Sequence, residues 1–418
     1  MYTRYLLGLS TLLLVMSCSK NDITLPPYNP EENLANTLPI SDTVMRKMEG
    51  VYDLSKGSGK LGSHFVCKTS RNKVSFFSET DGIFMILKYG YDPTDSSIQF
   101  AGFWRYSENS MQGNIAFSIA KDDGAIDLLI NGVVDSLSLD GMFMDIEFYT
   151  RPLTISFNRH FSAYTQTHDF AIFAHHGVQT TANPPYAENS LNGVLNAEAY
   201  GVNGIEYDIR MTKDHVPICI HDASINTRLT IKGPLSGGYD KYNFSLLSEF
   251  IRLIDGQSIP SVAQVLDAFI ESTTMKYVWL DIKGNPDIFK YLEPVVRNAY
   301  SKAAALNRDV VIIADLPTQD VIDEYQKSPS YASPPKLPAM CELTLQDVID
   351  NNCEYWGPRY SEGLLLDQVE QAHSMGIKVY SWTLNDKNLI INYLQNGQFD
   401  GYITDYPAYV VYHYYTMF

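Results

Sequence analysis

The chain has 418 residues, 45% of them hydrophobic, and a formal net charge of −17. That length exceeds one domain's usual share and can bury a large core. The charge argues against a nucleic-acid partner, which needs a basic face, and it leaves a phosphate-bearing ligand dependent on a locally positive site such as a bound cation. Residues 1–18 read as an export signal, because Arg4 precedes an apolar run from Leu6 to Met16 that is too short to span a bilayer comfortably. Residues 19–40 are polar, carry Pro26, Pro27, Pro30 and Pro39, and read as an extended tether.

The signal ends in Val15-Met16-Ser17-Cys18, which resembles a bacterial lipoprotein cleavage site, with Met16 as a departure from the pattern. The resemblance implies that Cys18 becomes the lipidated first residue. It also implies that lipid chains hold the protein to a membrane of the cell envelope without any spanning helix. The other four cysteines, Cys67, Cys219, Cys341 and Cys353, are scattered and form no framework. Free buried thiols are favoured over a Cys341–Cys353 disulfide.

Residues 41–161 form an all-β unit in this reading, an antiparallel sandwich or small barrel. The expected strands are His64–Lys68, Lys73–Phe77, Ile83–Tyr89, Ile98–Tyr106, Asn114–Ile119 and Ala125–Ile130, separated by turns such as Asp81-Gly82 and Asp122-Asp123-Gly124. Tyr89, Tyr91, Phe103, Trp104 and Tyr106 offer two readings, a glycan-binding surface or core filling, of which core filling is favoured. No catalytic constellation is visible in this unit.

Residues 168–418 alternate strand and helix signals over about the length of one (β/α)₈ barrel, so the fold class is α/β with a C-terminal TIM barrel. Expected strands include Phe170–Ala174, Tyr277–Leu280, Val310–Ala314, Tyr355–Gly357, Val379–Trp382 and Gly401–Ile403. Among the expected helices, Ser261 precedes the apolar stripe Val262/Val265/Leu266/Phe269 as an N-cap. The stretch Leu316–Leu345 contains five prolines and resists assignment.

One hairpin organises this half. In Gly204-Ile-Glu-Tyr-Asp-Ile-Arg-Met, alternation puts Glu206 and Asp208 on one face. A turn at Lys213-Asp214 leads to a return strand, Val216–Ile220, that brings His221 back to their level. Two carboxylates and an imidazole at one sheet end suit a hard divalent cation and proton transfer near neutral pH. An ordinary hairpin with its charges in water is the alternative.

Three further pieces bear on the choice: His175-His176-Gly177 after a buried strand, Glu188-Asn189-Ser190 before a helix, and Asp281-Ile-Lys283 after another buried strand. Together with the hairpin they resemble the glycerophosphodiester phosphodiesterase family. That family shows H-R-G, P-E-N-T, G-x-E-x-D with T-K-D-G, H-D, and an acidic residue two before a Lys, in this order. The resemblance covers about the C-terminal three-fifths of the chain.

It implies a metal-dependent hydrolase that splits small glycerophosphodiesters into an alcohol and glycerol phosphate. Glu206, Asp208 and Asp281 match the metal ligands, for one Mg²⁺ or Ca²⁺ ion, with Asp281 one methylene shorter than the usual Glu. His175 and His221 match the catalytic histidines, and Lys283 a lysine near the phosphate. His176 stands where the family has a phosphate-gripping Arg, and His215 where its turn carries Gly. Asn189 either ties its loop to the site or caps a helix. Trp382, matching a W-T-x-N strand end, either walls the pocket or closes the barrel, and Asp405 reads as structural. Two other functions stay open: cleavage of intact phospholipids to a cyclic phosphate, as in the sphingomyelinase D group, and a non-catalytic surface protein that binds glycan through its front unit.

Overall fold

The structure is a computed structural model that describes residues 34–109, 111–178, 186–284, 287–328 and 336–418. Its first half is a closed antiparallel barrel of eight strands: Gly50–Gly57, His64–Ser70, Lys73–Ser78, Phe84–Asp92, Ser97–Arg105, Gln112–Ile119, Ser138–Met144 and Thr150–Arg159. The first strand pairs with the last, so no edge is left open. Alternation sorts the side chains. Phe65, Phe76, Met85, Trp104 and Phe117 fill the barrel interior, whereas Val66, Phe77, Phe84 and Ile86 point outward into the core of the second half.

Ala125–Ile130 is not a strand. Residues Asp127–Asn131 coil into a π-type turn between Gly124 and Gly132, both at positive φ. Ala125 and Leu128 are buried while Ile130 is exposed, a helical spacing that a reading for strand runs overlooks. The aromatic residues of this barrel are largely taken up by packing. Trp104 is buried with its Nε1 donating to the Met144 carbonyl, Phe103 packs toward the second half, and Tyr89 donates to Asp42.

The second half is a barrel of eight parallel strands: Ala171–Ala174, Gly204–Met211, Tyr277–Ile282, Val311–Leu316, Ala339–Cys341, Tyr355–Trp356, Lys378–Ser381 and Gly401–Thr404. The last pairs with the first, and the first with the second, which closes the ring. Phe173, Tyr277, Trp279, Ile313, Met340 and Tyr380 fill its interior. Between the strands run helices such as Val262–Ser272, whose Ser261 and Gln264 form a capping box. The proline-rich stretch supplies the three-residue strand Ala339–Cys341, and residues 329–335 lie outside the described set. A helix at the end of the chain, Pro407–Met417, lies against both barrels. Cys67, Cys219, Cys341 and Cys353 are all buried free thiols. Cys18, the expected lipidation site, lies outside the described residues. Among those residues, no helix is long and apolar enough to cross a membrane.

Candidate active site

Strand register sets the floor of the site. Asp208 lies opposite Asp281 on the neighbouring parallel strand, and Glu206 opposite Trp279. Both acids of the hairpin strand therefore emerge at the carboxyl end of the barrel, beside the third. The return strand Pro217–Cys219 pairs antiparallel with this strand, and the Ile220 amide donates to the Asp208 carbonyl at 2.9 Å. His221 follows at once and so reaches the same level. The turn is made with His215 at φ +60°, where the resembling family has Gly. Its ring stacks on Tyr291 at 4.5 Å with a 2° tilt, a contact that a glycine lacks.

His175 and His176 leave the end of the first strand. His176 has φ +52°, which turns its ring inward, and its amide donates to Glu206 Oε2 at 2.9 Å. Its Nε2 lies 3.3 Å from Asp208 Oδ2 and its Nδ1 3.6 Å from Glu188. Burial disfavours a charge on this imidazole. The carboxylates of Asp208, Glu188 and Glu206 outweigh it and push His176 up to about 10. The same acids that hold its proton are those that could hold a metal ion, and such an ion would compete with that proton for the ring nitrogen. For His175, burial and the neighbouring His176 charge pull the ring below the usual histidine range, against the partner Asp405. His175 Nδ1 is 2.6 Å from Asp405 Oδ1, and its Nε2 is 3.9 Å from Glu206.

Asn189 does not cap the following helix. That cap is Ser190, whose side chain accepts from the Gly193 amide. Asn189 instead binds Asp208 through its side chain, and its amide donates to the His176 carbonyl at 2.9 Å. On the far side His221 Nδ1 is 2.7 Å from Asp222 Oδ1. Lys283 Nζ lies 2.5 Å from Asp281 and 3.0 Å from Asp208. It is therefore held by the acids and raised above the ordinary lysine range, although burial opposes that.

The three acids titrate apart. Burial raises Glu206 well above the carboxylate range, and the Asp208 charge adds to it. Burial also raises Asp281. Asp208 faces the same burial, but the charges of His176, Lys283 and His221 bring it down to about 2. Glu206 Oε1 and Asp281 Oδ1 are buried acceptors that take no hydrogen bond among the described residues. Buried acceptors are normally satisfied, and a cation would satisfy both. Three sets of side chains bring one ligand atom from each member within 4.8 Å of one another: Glu206 with Asp208 and Asp281; His176 with Asp208 and His221; His175 with His176 and Glu206. The donor set fits a divalent ion.

Trp382 sits at the end of its strand, apart from these bonds. Its Nε1 donates to the Gly357 carbonyl, the Arg359 guanidinium lies 4.6 Å over its ring, and it packs on the barrel's interior aromatics.

Several partners escaped the sequence reading. Arg228 grips Asp222 through Nε and Nη2 and reaches Glu188 at 3.0 Å, linking the two histidine loops. Its only local signal is an arginine soon after His221-Asp222. Asp405, read as structural, holds His175 directly. Asp315, opposite Asp281 in register, accepts from Trp279 Nε1 at 2.9 Å. It also hydrogen-bonds Glu342, which burial pushes up to about 8. Neither acid is flagged by any motif.

Fold and rim together define a barrel enzyme in which imidazoles, carboxylates and a lysine are gathered for one small polar group. The segment 175–312 matches the model of the glycerophosphoryl diester phosphodiesterase family. This matched third of the chain carries every acid, imidazole and lysine named above except Asp315, Glu342 and Asp405, and the match supports a phosphoric diester hydrolase. The fold is similar to that of a glycerophosphodiester phosphodiesterase from Parabacteroides distasonis, with TM-score 0.48 and 19% identity over 60% of this chain and 98% of that one. It is similar also to an Oleispira antarctica phosphodiesterase in complex with sn-glycerol-3-phosphate, with TM-score 0.46 and 18% identity over 58% of this chain and 96% of that one. No curated protein sequence matches the chain.

Proposed function

We propose that the parallel barrel hydrolyses glycerophosphodiesters to an alcohol and glycerol phosphate, with a divalent cation held by Glu206, Asp208 and Asp281. The observation that carries this reading is the symmetry of the two outer imidazoles. His175 and His221 stand on either side of the acids, each with Nδ1 on its own aspartate at 2.6 and 2.7 Å. That leaves Nε2 of both rings for proton transfer.

When bound, the cation polarises the phosphoryl oxygens and offsets charge developing on them. The chain supplies the rest. His175, held toward its neutral form by burial, takes a proton from the attacking water or hydroxyl. His221 gives a proton to the departing alkoxide as its bond to phosphorus breaks. Asp405 and Asp222 fix each ring's orientation. Lys283 contributes positive charge beside the phosphate. An anchor at Cys18 would set this chemistry at a membrane surface of the cell envelope.

The test is turnover of glycerophosphocholine, glycerophosphoethanolamine and intact phospholipids by the purified, metal-loaded protein, followed by ³¹P NMR in ¹⁸O-labelled water. Glycerol phosphate carrying the label is expected, with loss on chelation and in His175→Ala and His221→Ala. A cyclic phosphate from intact lipid would move the assignment to lipid cleavage. Unchanged turnover in both variants would remove these residues from the mechanism.

A further inference from the structure

We propose that His176 is itself a ligand of the cation, so that the site takes a borderline transition ion such as Co²⁺ or Zn²⁺ in preference to Mg²⁺ or Ca²⁺. The inference rests on the metal-dependent reading above and goes beyond it.

Acids alone describe a hard site, since Mg²⁺ and Ca²⁺ take oxygen ligands. The geometry adds a nitrogen. His176 belongs to two of the three groups of converging ligand atoms, one with Asp208 and one with Glu206. Its Nε2 stands 3.3 Å from Asp208 Oδ2, and its amide ties it to Glu206 Oε2. The side chain is 9% exposed, so it is committed to the interior.

The other ring nitrogen matters as much. A metal-bound imidazole donates its second N–H to a carboxylate or carbonyl, which fixes the ring for ligation. His176 Nδ1 faces Glu188 at 3.6 Å, and Arg228 holds Glu188 from behind at 3.0 Å. His175 and His221 are oriented in the same way by their own aspartates, but both are partly exposed and stand at the flanks. The buried member of the trio is the one between the acids. An independent observation comes from Glu206 Oε1, which is buried, belongs to a residue of the same ligand cluster and takes no hydrogen bond among the described residues. An arginine at position 176 supplies only donors and cannot ligate. Histidine there exchanges a phosphate clamp for a ligand, and imidazole shifts preference toward the later first-row ions.

The experiment uses the full chain stripped by chelation. Calorimetry would compare Co²⁺ with Mg²⁺ and Ca²⁺, and pulsed EPR of the Mn²⁺ form would look for nitrogen coupling, with ¹⁵N-histidine labelling to assign it. Co²⁺ is expected to bind about 100-fold more tightly than Mg²⁺ or Ca²⁺, and His176→Asn to shrink that ratio at least 10-fold. Nitrogen coupling is expected in the unaltered protein and lost in the variant. Should His176→Asn fail to fold, the same measurement on His175→Asn and His221→Asn decides the matter, because the coupling must persist in both if His176 is its source. Absence of coupling, or unchanged selectivity in a folded His176→Asn, overturns the ligand assignment alone. Failure of every divalent ion to bind overturns the metal-dependent reading itself.

Discussion

Asn189 and Asp208 exchange two hydrogen bonds, the Asn189 Nδ2 donating to Asp208 Oδ2 at 2.7 Å and the Asp208 amide donating back to Asn189 Oδ1 at 2.9 Å. Both residues are 0% exposed. The pair joins the loop before the helix Leu191–Ala197 to the strand that carries the acids. Asn189→Ala removes both partners at once and leaves a buried amide and a buried carboxylate oxygen short of a bond. A loss of about 2–4 kcal/mol in urea unfolding is expected. Because the same side chain aims Asp208, the cation affinity of the folded variant should also fall. A stability change below about 0.5 kcal/mol would mean that water replaces the pair without penalty.

A second prediction concerns His175 and Asp405. Asp405 favours the charged imidazole, against burial and the charge of His176. Asp405→Asn keeps the shape of the contact and removes that favour, so the His175 pKa moves further down. The acid limb of the kcat–pH profile should shift to lower pH. At the same time kcat should fall about 10–100-fold at little change in KM, because an amide can favour the wrong tautomer. A limb that stays in place, or moves up, would show that another group titrates there.

Arg228 makes the third. It holds Asp222, which holds His221, and it holds Glu188, which faces His176. Arg228→Lys keeps the charge but cannot grip two carboxylates in a fork. The expected outcome is a loss in kcat of about 10-fold for both Arg228→Lys and Arg228→Leu, with the lysine giving little rescue. Full rescue by lysine would reduce the role of Arg228 to its charge. The kcat values and a parallel thermal melt separate positioning from simple loss of fold.

How much of this was legible in the sequence depended on whether the signal was local. Glu206, Asp208 and His221 were readable because a two-residue period and one tight turn fix where they meet. Asp281 and Lys283 were readable because they stand in and just after the last residues of a buried strand. The π-type turn at Asp127–Asn131 misled, since a short apolar run has no period long enough to separate strand from coil. The two-residue strand Tyr355–Trp356 gave almost no pattern, and closure of the ring by its neighbours defines it. Ser190 and Asn189 are both good caps, and only the position of Asp208 decides which one caps. The His175–Asp405 pair spans 230 residues and the Trp279–Asp315 pair 36, so neither carries a local mark.

The fourth prediction lies where the two barrels meet. His413 sits in the helix Pro407–Met417, and its Nε2 is buried without a hydrogen bond among the described residues. Burial, with the Lys387 charge behind it, brings His413 down to about 4. An unfolded chain titrates this group near 6.5. Above that pH both states are neutral and the full stability is present. As pH falls from about 6.5 toward 4 the unfolded chain takes up the proton first, so stability drains away; below 4 both are charged and the loss is complete. With a discount for solvent near the ring, the loss amounts to about 1–2 kcal/mol. His413→Phe, which keeps an aromatic ring in the same space, should flatten this part of the curve. The measurement is the urea midpoint of both proteins at pH 7 and pH 4.5. An equal drop in the two would assign the acid sensitivity to other groups, and a smaller drop in the variant assigns it to His413.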